Sequence, residues 1–424
     1  MDLVGVGAGE NEGYLRRLKA IECPDATFPA TEPSLVMHRA SGSVVFDVRG
    51  TAYIDLCAGF GALALGHNPS AHRQVLVNRL YEAESELAPL ITHGMGDVYS
   101  SSAKVNLISY LIDLMPPDLT MAALALTGSQ AVEIAVKTAM LATGRSRFVV
   151  FSGSYHGLDL GILPLTERAD FKAPFRGFLR EDKVVPLSFR CSEAELECAL
   201  SSSDIAGVIV EPVQGRTGCR PAGLTWLQML RRQCDKHSSM LIYDEVFTGL
   251  GRTGQLTFAE HVPCDLLCLG KAFGGGFPIS ACVGTAAAMT AWPASKGEAI
   301  HTGTFFGHPL SCDIALATLK EMRESDLIDR ARDLGLEALS WLKAALGEDP
   351  LVQDIRGEGL MLAIEFKKDG NGARLMDILR AQGVIALASG SRGESLSITP
   401  ALNIPRPLLI SGLEAVKASV NLLR

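Results

Sequence analysis

The feature that most constrains this chain is a series of short, almost wholly apolar runs separated by helical stretches. They are Ala122 to Leu126, Phe148 to Phe151, Gly207 to Val210, Met240 to Tyr243, Leu266 to Leu269 and Ile279 to Gly284. A strand with one wet face alternates apolar and polar residues, whereas a strand buried on both faces is apolar throughout, as parallel sheets require. Between the first two runs, Ala131 to Thr143 sets Val132, Ala135, Ala139 and Met140 on one side of a helix that Gly144 stops. This alternation predicts an α/β fold around a largely parallel sheet. From about Ala315 the pattern changes to long helices, a strand at Met361 to Phe366, a helix at Ala373 to Gln382 and a final helix after Pro407, expected to form a smaller unit. Ser43 to Val48 and Ala52 to Asp55 read as a strand pair turned at Arg49-Gly50. The expected division is an N-terminal segment 1–60 packing with the small domain, a large domain 61–314 and a small domain 315–424.

With 424 residues, 47% hydrophobic and 20% charged, the chain suits a soluble enzyme with a large core. Its net charge is -8 and its basic residues are dispersed, so no track for a phosphate backbone exists and nucleic acid is not expected as a partner. No uncharged apolar run reaches the roughly 20 residues of a membrane helix. Met1 to Glu10 lacks a basic region followed by an apolar one, so a cytoplasmic protein is expected. The ten cysteines are scattered; the one close pair, Cys264 and Cys268, reads as reduced core residues and no metal site is expected. Gly5, Gly7 and Gly9 read as a flexible terminus.

Four local patterns carry chemistry. Lys271 stands where the run Leu266 to Leu269 enters a glycine-rich turn, Gly270-Lys271-Ala272-Phe273-Gly274-Gly275-Gly276. Desolvation there lowers an amine's pKa and frees it as a nucleophile or proton carrier, although a surface lysine before a loop would give the same residues. The run from Met240 ends in Asp244-Glu245, at the sheet edge where ligands bind in α/β folds. A carboxylate at that edge can hold a proton on a heterocyclic nitrogen; a solvated strand-end acid is the other reading, above all for Glu245. Leu126-Thr127-Gly128-Ser129-Gln130 leads from a strand into a helix, which gives either a phosphate cradle or a simple N-cap by Ser129. Tyr155, in Ser152-Gly153-Ser154-Tyr155-His156-Gly157, puts an aromatic ring beside the same edge, ready to stack on a planar cofactor. The match of Gly249 to Gly254 to G-x-G-x-x-G is set off from its strand by Glu245 to Thr248 and precedes no clear helix, which counts against a dinucleotide site.

Taken in this order, these residues resemble the class III pyridoxal-phosphate-dependent aminotransferases, the group of ornithine, acetylornithine and 4-aminobutyrate aminotransferases and glutamate semialdehyde aminomutase. The resemblance runs from Val48 to Asp55 and Leu65-Gly66-His67-Asn68-Pro69 through Gly357-Glu358-Gly359-Leu360. It is most specific where Asp244-Glu245-Val246 continues into Gly249 to Gly254, followed by Gly270-Lys271. It implies the fold type I of pyridoxal-phosphate-dependent transferases, with a mostly parallel seven-stranded sheet in the large domain and a smaller α+β domain. The implied reaction is ping-pong transfer of an amino group between an amine or ω-amino acid and a keto acid or aldehyde.

The resemblance also implies residue roles. Lys271 forms the Schiff base and shuttles the proton, Asp244 partners the pyridine nitrogen, and Val246 and Tyr155 flank the ring. Gly128, Ser129 and the backbone of Gln130 hold the phosphate, and Thr304 reaches the phosphate of a neighbouring subunit, implying a homodimer with shared active sites. Phe60 and Glu211 fall on the substrate side, Phe60 either as an apolar wall or as a packed core residue. Two departures bear on substrate. Ser397 stands where amino-acid-specific members carry an arginine for the α-carboxylate of glutamate, leaving Arg216, Arg392 or Arg406 as replacements, and Phe247 stands where many relatives have glutamine. Other chemistry on the same cofactor (aminomutase, racemase, lyase, decarboxylase) stays open at this point, as do a non-catalytic binding protein and a dinucleotide-dependent dehydrogenase.

Overall fold

The apolar runs are strands of one seven-stranded sheet in a computed structural model, which describes residues 10–23, 35–84, 88–95 and 98–424. The reading of Gly5, Gly7 and Gly9 lies outside the described residues. Across the sheet the order is Leu119–Ala125, Ser280–Thr285, Leu266–Leu269, Met240–Asp244, Ile205–Val210, Arg147–Phe151 and Val184–Leu187. Ser280–Thr285 is antiparallel to both neighbours, and the other six strands point the same way.

Successive side chains of these strands feed two different cores. Val149, Phe151, Val208, Val210, Leu241, Tyr243, Leu267 and Leu269 pack on one face. Phe148, Val150, Ile209, Ile242, Leu266 and Cys268 pack on the other. A polar residue at any of these positions would forgo about 1.5–3 kcal/mol of burial, which is why the runs are apolar without a break. The second face is covered by helix Gly128–Thr143 through Val132, Ala135 and Ala139. Met140, expected on that side, is 40% exposed. The first face is covered by helix Leu224–His237 through Leu227, Leu230 and Cys234.

Val184–Leu187 escapes the sequence reading because it contains Pro186, which argues against a strand. It forms the sheet's edge, where a missing N–H costs nothing. A second sheet is wholly antiparallel, in the order Val352–Glu358, Met361–Phe366, Ser395–Ile398 and Leu387–Ser389, with helices Leu327–Leu346 and Asn371–Ala381 against it. A third sheet joins the two ends of the chain. Met37–Ser41, Val44–Asp47 and Ala52–Asp55 form a meander whose last strand pairs in parallel with Val384–Ile385. Eight of the ten cysteines, Cys264 and Cys268 included, are buried, unbridged thiols. Among the described residues no helix is long and apolar enough to cross a membrane, and no three His, Cys, Asp or Glu side chains gather as metal ligands would.

Candidate active site

Because the strands are parallel, their carboxyl ends deliver separate loops to one edge. Gly128 and Ser129 follow Leu119–Ala125, Tyr155 and His156 follow Arg147–Phe151, Glu211 follows Ile205–Val210, Asp244 closes Met240–Asp244, and Lys271 follows Leu266–Leu269. All of them line one cavity of about 270 Å³. A larger open cleft of about 740 Å³, between Thr253–Glu260 and helix Leu327–Leu346, receives none of these strand ends.

Lys271 sits at φ +40°, just past the strand end, with its Nζ 3.8 Å from the centre of the Phe247 ring. Burial brings its ammonium down to about 8; Asp244 and Glu211 pull the other way, while Arg216 and Arg252 add to the fall. A fraction of the amine is therefore uncharged near neutral pH, as a nucleophilic lysine requires. Phe247 is fixed between two backbone segments that leave room only for glycine, since a Cβ on Gly61 or Gly215 would lie 2.6 or 2.5 Å from its ring.

Asp244 and Glu245 part company, as adjacent residues of a strand must. The Asp244 carboxylate faces the cavity, where its Oδ2 meets His156 Nδ1 at 2.7 Å and its Oδ1 accepts from the Val246 N–H. His156 is held in turn by its own N–H, which donates to Thr166 Oγ1. Its Nε2 is buried without a partner among the described residues. Sequence reasoning assigned His156 no role. Glu245 turns away from solvent, and the strand-end reading fails for it: Oε1 accepts from Thr257 Oγ1 and the Phe258 N–H, Oε2 accepts from Thr248 Oγ1, and only 1% of the residue is exposed. Burial pushes this carboxyl up to about 7.

The helix at Gly128 is capped by Thr127, not by Ser129. Thr127 Oγ1 accepts from the Gln130 N–H, and Gln130 Oε1 accepts from the N–H groups of Leu126 and Thr127. The Gln130 amide, expected at a phosphate, is thus already engaged and does not line the cavity. The first-turn N–H groups of Gly128 and Ser129 have no intrahelical acceptor, and the Ser129 hydroxyl is buried without a partner among the described residues. Two close approaches shape this end. A Cβ on Gly157, at φ +127°, would lie 2.4 Å from Ser129 Oγ, and one on Gly128 would lie 2.6 Å from Val246 Cγ1.

Glu211 lines the cavity with both oxygens committed, Oε1 to the Tyr155 N–H at 2.9 Å and Oε2 to the Gly215 N–H at 3.1 Å. Burial pushes its carboxyl up to about 7 and also raises the Tyr155 hydroxyl. Phe60 is not a core residue: it is 49% exposed, at φ +57°, and does not line the cavity. Thr304 is exposed beside Gly94, also off the cavity. Ser397 is buried and bonded to Ser389. Of the three arginines considered in its place, Arg392 pairs with Asp369 and Arg406 with Glu337 at the surface; only Arg216 lines the cavity. The loop Gly249 to Gly254 folds back on itself through Leu250 N–H to Leu256 O and Gly251 N–H to Gln255 O, so no helix N-terminus exists there for a dinucleotide.

The Aminotransferase class-III family profile matches residues 27–420. The chain belongs to the class-III aminotransferases. It is 33% identical over 409 residues to the 4-aminobutyrate aminotransferase of Escherichia coli, covering 89% of this chain and 91% of that one. It is 33% identical over 411 residues to the 5-aminovalerate aminotransferase of Pseudomonas putida, covering 90% and 92%. Among solved structures, the ornithine aminotransferase of Toxoplasma gondii superposes with a TM-score of 0.88 at 25% identity, covering 99% of this chain and 96% of that one. An amine transaminase from an uncultivated Pseudomonas species, solved with pyridoxal phosphate bound, gives 0.83 at 25% identity, covering 94% and 98%. The chemistry of this class-III member is therefore pyridoxal-phosphate-dependent amino transfer. The cavity fits that cofactor on its own terms. A partnerless buried hydroxyl at a helix N-terminus suits a phosphate, and a lysine of lowered pKa suits an aldehyde carbon.

Proposed function

We propose that this chain moves an amino group between a primary amine or ω-amino acid and a keto acid or aldehyde, with Lys271 and Asp244 as its catalytic residues. The observation that carries the reading is the convergence of Lys271, the Asp244–His156 pair and the Ser129 cradle in one cavity. The names of the relatives that act on 4-aminobutyrate and 5-aminovalerate support a terminal amine as donor.

When bound, pyridoxal phosphate supplies an electrophilic carbon and a ring that accepts the electron pair left as the substrate's hydrogen departs. The Gly128 and Ser129 N–H groups and the Ser129 hydroxyl hold its phosphate. Tyr155 and Val246 would flank its ring, and Asp244, fixed by His156, would keep the ring nitrogen protonated. Lys271 would anchor the cofactor through its Nζ, and once an incoming amine took its place there the freed Nζ, of lowered pKa, would hold and move the proton of the substrate carbon. The second half-reaction uses the same groups in reverse with a carbonyl acceptor. Phe247 presents an apolar wall to that amine.

The same proposal includes a homodimer in which Thr304 serves the partner's site. Thr304 and Phe305 are exposed beside Gly94, and Val98, Tyr99 and Ile300 are each more than half exposed, an apolar surface that a second copy would cover. Residues 61–314 are read as the cofactor-binding domain and 315–424 as the small domain; the seven-stranded sheet spanning 119–285 and the antiparallel one spanning 352–398 support two units, while helix Pro309–Glu324 runs across the 314/315 boundary and packs on helices Ser70–Glu82 and Ser102–Leu114. A reducing, cytoplasmic setting suits eight buried, unbridged thiols. The test is Lys271→Ala: this variant should complete no repeated turnovers of an amine donor with a keto acid, and many turnovers would overturn the assignment.

A further inference from the structure

Arg216 stands out by its lack of any polar partner among the described residues, whereas Arg252, buried and likewise without a carboxylate, donates to the carbonyls of Leu360 and Pro400. Arg216 lines the cavity with Lys271, half-buried, yet its guanidinium makes no ion pair and no hydrogen bond to any described residue. Arg79, Arg231 and Arg356, also largely buried, each pair with a carboxylate, Asp313, Asp265 and Glu365 respectively. The cavity's own acids do not serve Arg216. Asp244 is taken by His156, and both oxygens of Glu211 are taken by backbone N–H groups. The guanidinium nevertheless has a defined place, 5.4 Å from the centre of the Tyr155 ring. Its backbone is pinned as well: the Arg216 carbonyl accepts from the Gly390 N–H, and the Gly215 N–H beside it donates to Glu211.

A positioned guanidinium, partly shielded from water and without a counter-charge, is a fork for a planar anion, with two parallel N–H donors for a carboxylate. We infer that Arg216 binds a carboxylate on the substrate, at the end remote from the reacting amine, so that this enzyme prefers amino acids with a free carboxylate to simple amines or diamines. The inference rests on the aminotransfer reading and narrows it. The phosphate of a bound cofactor is the other anion the cavity would hold, and Gly128 and the unpartnered Ser129 hydroxyl would serve it at the helix N-terminus.

The test uses the loaded enzyme as wild type, Arg216→Gln and Arg216→Lys, without acceptor. The fading of cofactor colour is titrated with 4-aminobutyrate and 5-aminovalerate and, in parallel, with their carboxamides, which keep the shape and lose the charge. Cofactor affinity is measured separately for each protein. Wild type should respond to the acids at far lower concentration than to the amides. Arg216→Gln should raise the half-saturating acid concentration about 10- to 100-fold, with the amides and cofactor affinity unchanged and Arg216→Lys in between. Equal shifts for acids and amides, no shift, or a wild type that favours the amides would overturn the inference and leave aminotransfer standing. Lost cofactor affinity in Arg216→Gln would assign the guanidinium to the phosphate and overturn it too. A wild type whose colour responds to no amine at all would remove the aminotransfer reading itself.

Discussion

Replacing Gly128 by alanine puts a methyl group 2.6 Å from Val246 Cγ1 and 3.0 Å from Cγ2, against about 3.5–4.0 Å for an unstrained carbon contact. A second backbone segment closes on the same methyl: a Cβ on Gly270 would lie 3.1 Å from Val246 Cγ1 and 3.5 Å from the Gly128 Cα. Overpacking of this kind costs about 1–3 kcal/mol, and the better helix propensity of alanine returns less than about 1 kcal/mol at a first-turn position. A net loss of about 1–2 kcal/mol follows for Gly128→Ala. Val246→Ala removes both clashing carbons, so the double variant should be more stable than the sum of the single losses by about 1–2 kcal/mol. Urea denaturation of the four proteins at one protein and cofactor concentration measures this coupling. The Gly128 amide belongs to the proposed phosphate cradle, so cofactor affinity should fall about tenfold in Gly128→Ala and recover in part in the double variant. Losses that add to within about 0.5 kcal/mol would refute the steric argument.

The buried acid outside the cavity gives a pH signature. Glu245 keeps its proton up to about pH 7 in the folded protein and ionises near 4.5 when unfolded, so its contribution is whole below about pH 4.5, falls as pH rises and is gone above about 7, a change of about 3 kcal/mol. Glu245→Gln, which mimics the protonated acid, should reduce the pH dependence of stability across that window and leave the share of Glu211, whose carboxyl burial also pushes up to about 7; an unchanged slope by thermal or urea melts contradicts the desolvation account. His156→Asn deprives Asp244 of its buried partner and should lower kcat about 10- to 100-fold with a smaller effect on KM. A loss confined to KM would assign His156 to substrate binding instead.

How much of this was legible in the sequence depends on how locally each feature is encoded. Leu266 to Leu269 matches its strand to the residue, and Met240 to Tyr243 falls one residue short, because burial on both faces leaves an unbroken apolar run. Val184–Leu187 was hidden by Pro186, tolerable only at an edge that the sequence does not mark. The cap was misplaced by two positions although its signal, Thr127 followed three residues later by Gln130, is in the sequence. His156 could be quoted but not assigned, because its partner Asp244 lies 88 positions away and no local pattern joins them. Glu245 and Asp244 are chemically alike, and only strand alternation separates the core staple from the cavity acid. Phe60 has the composition of a core residue, and only its left-handed backbone beside an open surface shows otherwise.

The most direct test of the central claim is a visible absorbance titration of the purified, cofactor-loaded protein with amino donors in the absence of any acceptor. The account predicts a yellow protein whose colour fades as about one equivalent of carbonyl product forms per active site, and returns when a keto acid is added. Colour that persists while product keeps accumulating without acceptor would show lyase, decarboxylase or racemase-type chemistry and contradict amino transfer. A protein that takes up no pyridoxal phosphate would contradict the role given to Lys271 and the strand ends around it.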